Sequence, residues 1–261
     1  MRYRNLNNLI GSIRFKLIKT PIKKRRILRL INNLKPVKTE KELMRLGGSG
    51  DGGYLVPDDL KGIHACFSPG VGNLSNFELE CANLGMKIFM ADGSVDNPIE
   101  DDRRFLFIKK FIGNSSNEGF ITLEEWINSV QLEDTSDLIL QMDIEGHEYD
   151  VLNATTAKTL NKFRIIVIEF HRLHSLWDDK FYQEASASFS KLLQNHYCVH
   201  IHPNNCCGIK DVGGYQIPSV AEFTFIRKDR VKSVKKVQSL PHILDEDNTG
   251  NESISMPDIW Y

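Results

Sequence analysis

The segment Leu138-Ile139-Leu140-Gln141-Met142-Asp143-Ile144-Glu145-Gly146-His147-Glu148 constrains the fold more than any other stretch of the chain. Its first half reads as a buried strand, because strands covered on both faces of a parallel sheet are near-continuous apolar runs. Its second half places acids at the strand's carboxyl end, where open α/β sheets take their ligands. Side chains two apart along a strand share a face, so Asp143 and Glu145 are expected to point at one ligand. Gly146 then permits a tight turn into a helix that starts near His147 and runs through Val151 and Leu152. The competing reading is that these acids only cap that helix and complement its positive end. Two acids on one face exceed what a cap needs.

A second motif lies upstream. Ile63-His64-Ala65-Cys66-Phe67 is a short apolar strand running into Ser68-Pro69-Gly70-Val71-Gly72, and a helix carrying Phe77, Leu79, Ala82 and Leu84 follows. Glycines at 70 and 72 let backbone approach a ligand with no Cβ in the way. The next strand, Met86 to Ala91, ends in Asp92, 22 residues beyond Gly70. An acid about 20 residues past a glycine-rich turn holds ribose hydroxyls in doubly wound folds. Ser75 occupies the place of the third glycine of the dinucleotide pattern, which weakens a nicotinamide reading and leaves other ribose-bearing cofactors open.

Downstream the chain alternates in an α/β manner. Residues 103–112 are a candidate third strand, 122–130 an amphipathic helix around Leu123, Trp126, Ile127 and Val130, and 164–171 a fifth strand. Strands separated by helices imply parallel pairing with right-handed crossovers. Glu169 and His171 are again two apart at a strand end, so the two pairs are expected to converge if the strands are neighbours. Tyr197 to His202 alternates as a strand, and Ala221 to Arg227 is the last one.

Taken in this order, the motifs resemble the FkbM-type family of S-adenosylmethionine-dependent methyltransferases. The phrase from Met142 to Leu152 is similar to that family's Asp-x-Glu-Gly-x-Glu-x-x-Val-Leu signature. Gly50-Asp51-Gly52-Gly53-Tyr54 resembles its Asp-Gly-Gly-Tyr element, and Ile121-Thr122-Leu123-Glu124 its Thr-Leu-Asp/Glu segment. The resemblance spans about residues 45 to 175. It implies a Rossmann-like class I methyltransferase three-layer sandwich, with a mostly parallel seven-stranded sheet and an antiparallel last strand. It also implies an O-methyltransferase acting on a hydroxyl of a sugar or glycan, with Asp51, Gly53, Tyr54, Ser68, Gly70, Gly72, Asp92 and Asp143 around the cofactor. Many members carry an acid where this chain has Ser68, so Glu78 or Asp51 is a candidate to hold the methionine amino group instead.

Methyl transfer to a hydroxyl needs an aligned oxygen and a base to take its proton. Asp143, Glu145 and His171 are the candidate catalytic residues, His171 because imidazole titrates near neutrality. A cluster of Asp143, Glu169 and His171 could instead hold a divalent metal that lowers the hydroxyl pKa. That reading is not favoured on sequence, since hard ions want several oxygen ligands. His200, His202, Cys206 and Cys207 match no structural zinc spacing; His200, His202 and Asn204 read better as a polar rim at the substrate mouth.

The chain of 261 residues with net charge −1 has no global drive toward nucleic acid. Its five cysteines form no paired framework and read as reduced thiols of a cytoplasmic protein. No apolar stretch reaches 18 residues, so no spanning helix is expected. Residues 1–45 hold 14 Lys or Arg against two acids. The expected organisation is a basic helical extension over 1–44, a methyltransferase domain over 45–230 and a polar, loosely ordered tail over 231–261 that docks at most its last three residues. The basic helices over residues 1–40 would either lie on an anionic membrane surface or pack their apolar face on the domain. Two other functions stay open: a binding or scaffold protein on a degenerate methyltransferase domain, and a nicotinamide-dependent oxidoreductase.

Overall fold

The computed structural model describes residues 24–72, 75–98, 102–133 and 135–261. Most of the basic segment expected to face a membrane, residues 1–23, lies outside the described residues. The central sheet has seven strands: β1 (Ile63–Pro69), β2 (Lys87–Ala91), β3 (Phe105–Ile108), β4 (Asp137–Met142), β5 (Phe163–Phe170), β6 (His196–Pro203) and β7 (Ala221–Arg227). Their order across the sheet is 6-7-5-4-1-2-3. The pairs from β5 through β4, β1 and β2 to β3 are parallel, and β7 runs antiparallel between β5 and β6. The expected Rossmann-like sheet with a reversed last strand is therefore present. The chain winds outward from β1 to β3, then returns to place β4 on the other side of β1, so the switch point lies between β1 and β4.

Among the described residues six α-helices accompany the sheet: α1 (residues 24–34), α2 (Asn76–Asn83), α3 (Leu123–Ser129), α4 (Glu148–Ala154), α5 (Ala157–Leu160) and α6 (Asp179–Asn195). The period of two along each strand divides the core into two layers. Leu138, Leu140 and Met142 of β4 join Trp126, Tyr149 and Phe189 in one cluster, while Ile139 joins Phe77 and Cys81 of α2 in the other. Phe67 centres the larger layer, with the rings of Phe89, Trp126 and Phe163 at 4.9, 5.0 and 6.2 Å. The second layer is roofed by α2 and by an antiparallel hairpin, Leu43–Leu46 with Tyr54–Pro57.

Two expectations need correction. The third strand does not run from 103 to 112. It ends at Ile108, where the Lys110 N–H donates to the Ile108 carbonyl and turns the chain; Phe111–Gly113 then pairs separately with Phe120–Thr122. The tail is not loosely ordered. Met256 and Trp260 are 2% and 0% exposed in the larger core layer. Asp245 accepts from His200 at 2.7 Å, and Lys235–Lys236 pairs with Val37–Lys38. Helix α1 sits in the same layer through Ile27, Leu30, Ile31 and Leu34, and Lys35 Nζ donates to the Tyr261 carbonyl at 2.8 Å. For the described part of the N-terminal segment, the apolar face packs on the domain. No helix among the described residues is long and apolar enough to cross a membrane.

Emptying the tail anchor should therefore unsettle the whole fold. Trp260→Ala removes a fully buried indole from this layer, which typically costs about 3–5 kcal/mol. Chemical denaturation should show a lower midpoint with a single transition. A tail that is released first, with the rest of the domain unmoved, would mean that it is not part of the core.

Candidate functional site

The crevice at the switch point is built from three loops. The first, after β1, carries Gly70 and Gly72, both with positive φ (84° and 48°). Only glycine adopts this conformation without penalty. Their open faces differ. A Cβ on Gly70 would lie 1.6 Å from the Asp143 carbonyl oxygen, so its missing side chain admits the neighbouring loop after β4. A Cβ on Gly72 would meet nothing within 4 Å among the described residues, so this glycine borders open space. The second loop follows β2. Asp92 is 6% exposed, and its carboxylate accepts from the Gly72 N–H at 3.0 Å and from the Ser94 N–H at 2.7 Å. The acid expected to hold ribose first holds the glycine turn.

The third loop follows β4, which ends at Met142. Asp143 and Glu145 lie beyond the strand, so strand alternation does not bring them together. The turn does. Glu145 adopts a left-handed backbone (φ 56°), as does Arg172 (φ 62°) after β5, conformations that cost a non-glycine residue energy and cluster at functional sites. Glu148, the first residue of α4, is 0% exposed and ties the turn down. Its Oε1 accepts from the Ile144 and Gly146 N–H groups at 3.2 and 2.9 Å and contacts His171 Nδ1 at 3.1 Å. His171 Nε2 then faces Glu145 at 3.5 Å, Glu169 at 3.6 Å and Asp143 at 3.9 Å.

The electrostatics follow from four carboxylates around one imidazole. Burial alone would lower His171, but the Glu148 hydrogen bond and the charges of Glu148, Asp143 and Glu169 prevail and raise it to about 9. Burial pushes Asp143 up to about 7 against the pull of His171, aided by Glu145, Glu148 and Asp51. Burial and the neighbouring Asp143 and Glu222 hold Glu169 well above the usual carboxylate range.

Beneath the loops, a polar row crosses the second face of the sheet. Ser68, Gln141, Glu169 and Glu222 are at most 5% exposed. Ser68 Oγ donates to Glu78 and lies 2.8 Å from Gln141 Oε1, while Gln141 Nε2 donates to Tyr54 Oη at 3.0 Å. Glu169 and Glu222 are cross-strand partners, a like-charged pairing that destabilises a sheet unless compensated. The Asn204 amide spans both Glu169 oxygens at 3.2 Å, and the Asn248 amide reaches Glu222 at 2.6 Å.

Between these parts lies a cleft of about 190 Å³ lined by Asp51, Gly52, Tyr54, Gly70 to Gly72, Asn76 to Glu78, Gln141, Asp143 and Glu145. Four of the lining residues are acids and none is Lys or Arg. Such a donor set suits a cationic ligand, such as a sulfonium with its ammonium group. A pyrophosphate would meet these four acids with no cationic side chain among the described lining residues to offset them.

Of the residues expected from sequence, the structure gathers Asp51, Tyr54, Gly70, Gly72, Asp143 and Glu145 on the cleft, with Glu169 and His171 beside it. Ser68 sits under the cleft, fully buried. A Cβ on Gly53 would strike the Gly48 carbonyl at 2.4 Å, so its role is to close its own turn. His200, His202 and Asn204 do not form a substrate rim: they are 2%, 6% and 5% exposed, and His200 and Asn204 are spent on Asp245 and Glu169. Sequence reasoning missed Glu148 and Gln141. The available signals were an acid two residues past the glycine of a turn into a helix, and a lone amide inside an apolar strand.

Glu148→Ala should leave two N–H groups and an imidazole without their acceptor, at about 1–3 kcal/mol for each buried group left unpaired. Denaturation should show a loss of a few kcal/mol. A variant as stable as the parent would mean the turn is held by other contacts.

Residues 120–195 match the family model of the methyltransferase FkbM domain. The matched span runs from the Phe120–Thr122 strand through α6 and contains Asp143, Glu145, Glu148, Glu169 and His171. Over this part of the chain the match agrees with the resemblance read from the sequence motifs. No curated protein matches the chain.

Proposed function

We propose that this chain uses S-adenosylmethionine to methylate a hydroxyl of a sugar, a glycan or a related small molecule. The observation that carries the reading is the acid-lined cleft beside Gly72, at the switch point of a sheet whose family match is a methyltransferase domain. When bound there, the cofactor supplies an electrophilic methyl group on a positively charged sulfur. Asp51, Glu78 and Asp143 complement positive charge in the cleft, and Glu78 offers its carboxylate where the Ser68 position lacks one. Asp92 holds the Gly72 turn and is the acid we assign to the ribose hydroxyls. Asp143, Glu145 and His171 form the rim that would face the acceptor hydroxyl, and a carboxylate of this rim would receive its proton. The sugar or glycan acceptor rests on the family resemblance. The free cysteines fit a reducing compartment such as the cytoplasm.

The nicotinamide reading lacks both a third glycine and a cationic group on the cleft for a pyrophosphate. A non-catalytic scaffold would have no need to gather three buried or part-buried acids around His171, since burying ionisable groups is costly.

Two measurements test the reading. Asp92→Ala removes the acceptor of the Gly72 N–H and a candidate ribose ligand. With charge-assisted bonds worth about 1.5–3 kcal/mol, calorimetry should show S-adenosylmethionine binding weakened by tens-fold. Unchanged affinity, or tight NADH binding by the parent, rejects the cofactor assignment. Glu145→Gln keeps the shape of an 87% exposed side chain and removes its charge. It should lower kcat far more than it raises the cofactor Kd; equal turnover would remove Glu145 from the reaction.

A further inference from the structure

We propose that Asp143, Glu145 and His171 hold a divalent first-row metal ion at the outer edge of the cleft, with Glu169 as an adjoining carboxylate. Their donor atoms all lie within 4.8 Å of one another. The separations from His171 Nε2, 3.5 Å to Glu145, 3.6 Å to Glu169 and 3.9 Å to Asp143, are too long for hydrogen bonds between the groups. They are close to the spacing of donors around one ion: two ligands each about 2.1–2.2 Å from a metal and roughly 90–120° apart lie about 3.0–3.8 Å from each other.

Three further observations point to a cation. Asp143 Oδ1 is shut away from solvent with no hydrogen-bond partner, an uncommon state for a carboxylate oxygen. His171 Nδ1 is engaged by the fully buried Glu148, which leaves Nε2 as the nitrogen facing the acids. A carboxylate on the far ring nitrogen is the usual second partner of a metal-bound histidine, fixing tautomer and ring orientation. Four carboxylates stand within 4 Å of one imidazole, and a divalent ion would offset the excess negative charge. One nitrogen with carboxylate oxygens suits manganese, iron or zinc better than the all-oxygen shells of calcium.

For the proposed reaction, an ion here would take two neighbouring oxygens of the acceptor and lower the pKa of the one to be methylated. The acceptor class narrows to molecules with vicinal oxygens, such as a sugar 1,2-diol. This consequence rests on the methyl-transfer reading; the binding of the ion does not.

The test uses the full chain, stripped with EDTA and titrated with Mn²⁺ alone, with free ion followed by electron paramagnetic resonance. One ion per chain is expected at micromolar concentration. Glu145→Gln, at an exposed side chain outside the packed core, and His171→Ala should each weaken binding at least tenfold, while Asp211→Asn, far along the chain in the 209–218 hairpin, should not. Spin-echo modulation should show one imidazole nitrogen coupled to the bound ion, absent in His171→Ala. No stoichiometric binding at millimolar Mn²⁺, or binding indifferent to both variants and lacking the nitrogen coupling, overturns the proposal. A parallel S-adenosylmethionine titration in EDTA keeps the two readings apart. Cofactor binding without Mn²⁺ binding rejects the metal and spares the methyltransferase; the reverse rejects the cofactor and spares the metal.

Discussion

Burying a carboxylate beyond the reach of solvent is costly unless hydrogen bonds surround it, and the site depends on one such group. Glu148 is 0% exposed, and one of its oxygens gathers the N–H groups of residues 144 and 146 together with His171. Those contacts join the loop after β4 to the end of β5. They fix the backbone that carries Glu145, and they decide which imidazole nitrogen faces the acids. The Asp143 carbonyl in turn presses on Gly70, so the same turn sets the position of the glycine loop after β1. A chain of contacts thus runs from α4 across β4 to β1, and the cleft is the space left between its links.

Much of the fold was legible because the sheet is buried on both faces. Its strands are apolar runs that stand out against polar loops, as at 138–142 and 165–168, and their order follows from the helices between them. The site was legible where residues close in sequence act together, as in the 143–148 motif, or where two strand ends carry acids and histidine at matching positions. What escaped was set by packing. Nothing local separates Ile108 from Phe111, yet the chain turns between them. The tail reads as polar and acidic, but Asp245, Asn248 and Trp260 each find a partner far away in sequence. His200 and His202 suggested a rim because histidines at a strand end often face solvent, whereas the tail covers them.

The polar row beneath the cleft explains why that tail is needed. Glu169 and Glu222 oppose each other across β5 and β7, and a sheet carrying two adjacent acids would repel itself in the absence of compensation. Asn204 relieves one and Asn248 the other. Asn248 belongs to the C-terminal segment, so the last part of the chain helps to keep these acids in place on β5 and β7. The region that reads as a loosely ordered polar tail is joined to the electrostatics of the site.

The left-handed backbones of Glu145 and Arg172 carry one more implication. Each costs of order 1–3 kcal/mol that glycine would largely escape. A chain shaped by thermal robustness alone would place glycine at 145, and its domain would gain stability while the rim of the cleft lost its outermost carboxylate. On the role proposed for Glu145, heat tolerance and chemistry pull this position in opposite directions, and a programme of stabilising substitutions that treats residue 145 as an ordinary loop position would trade one for the other.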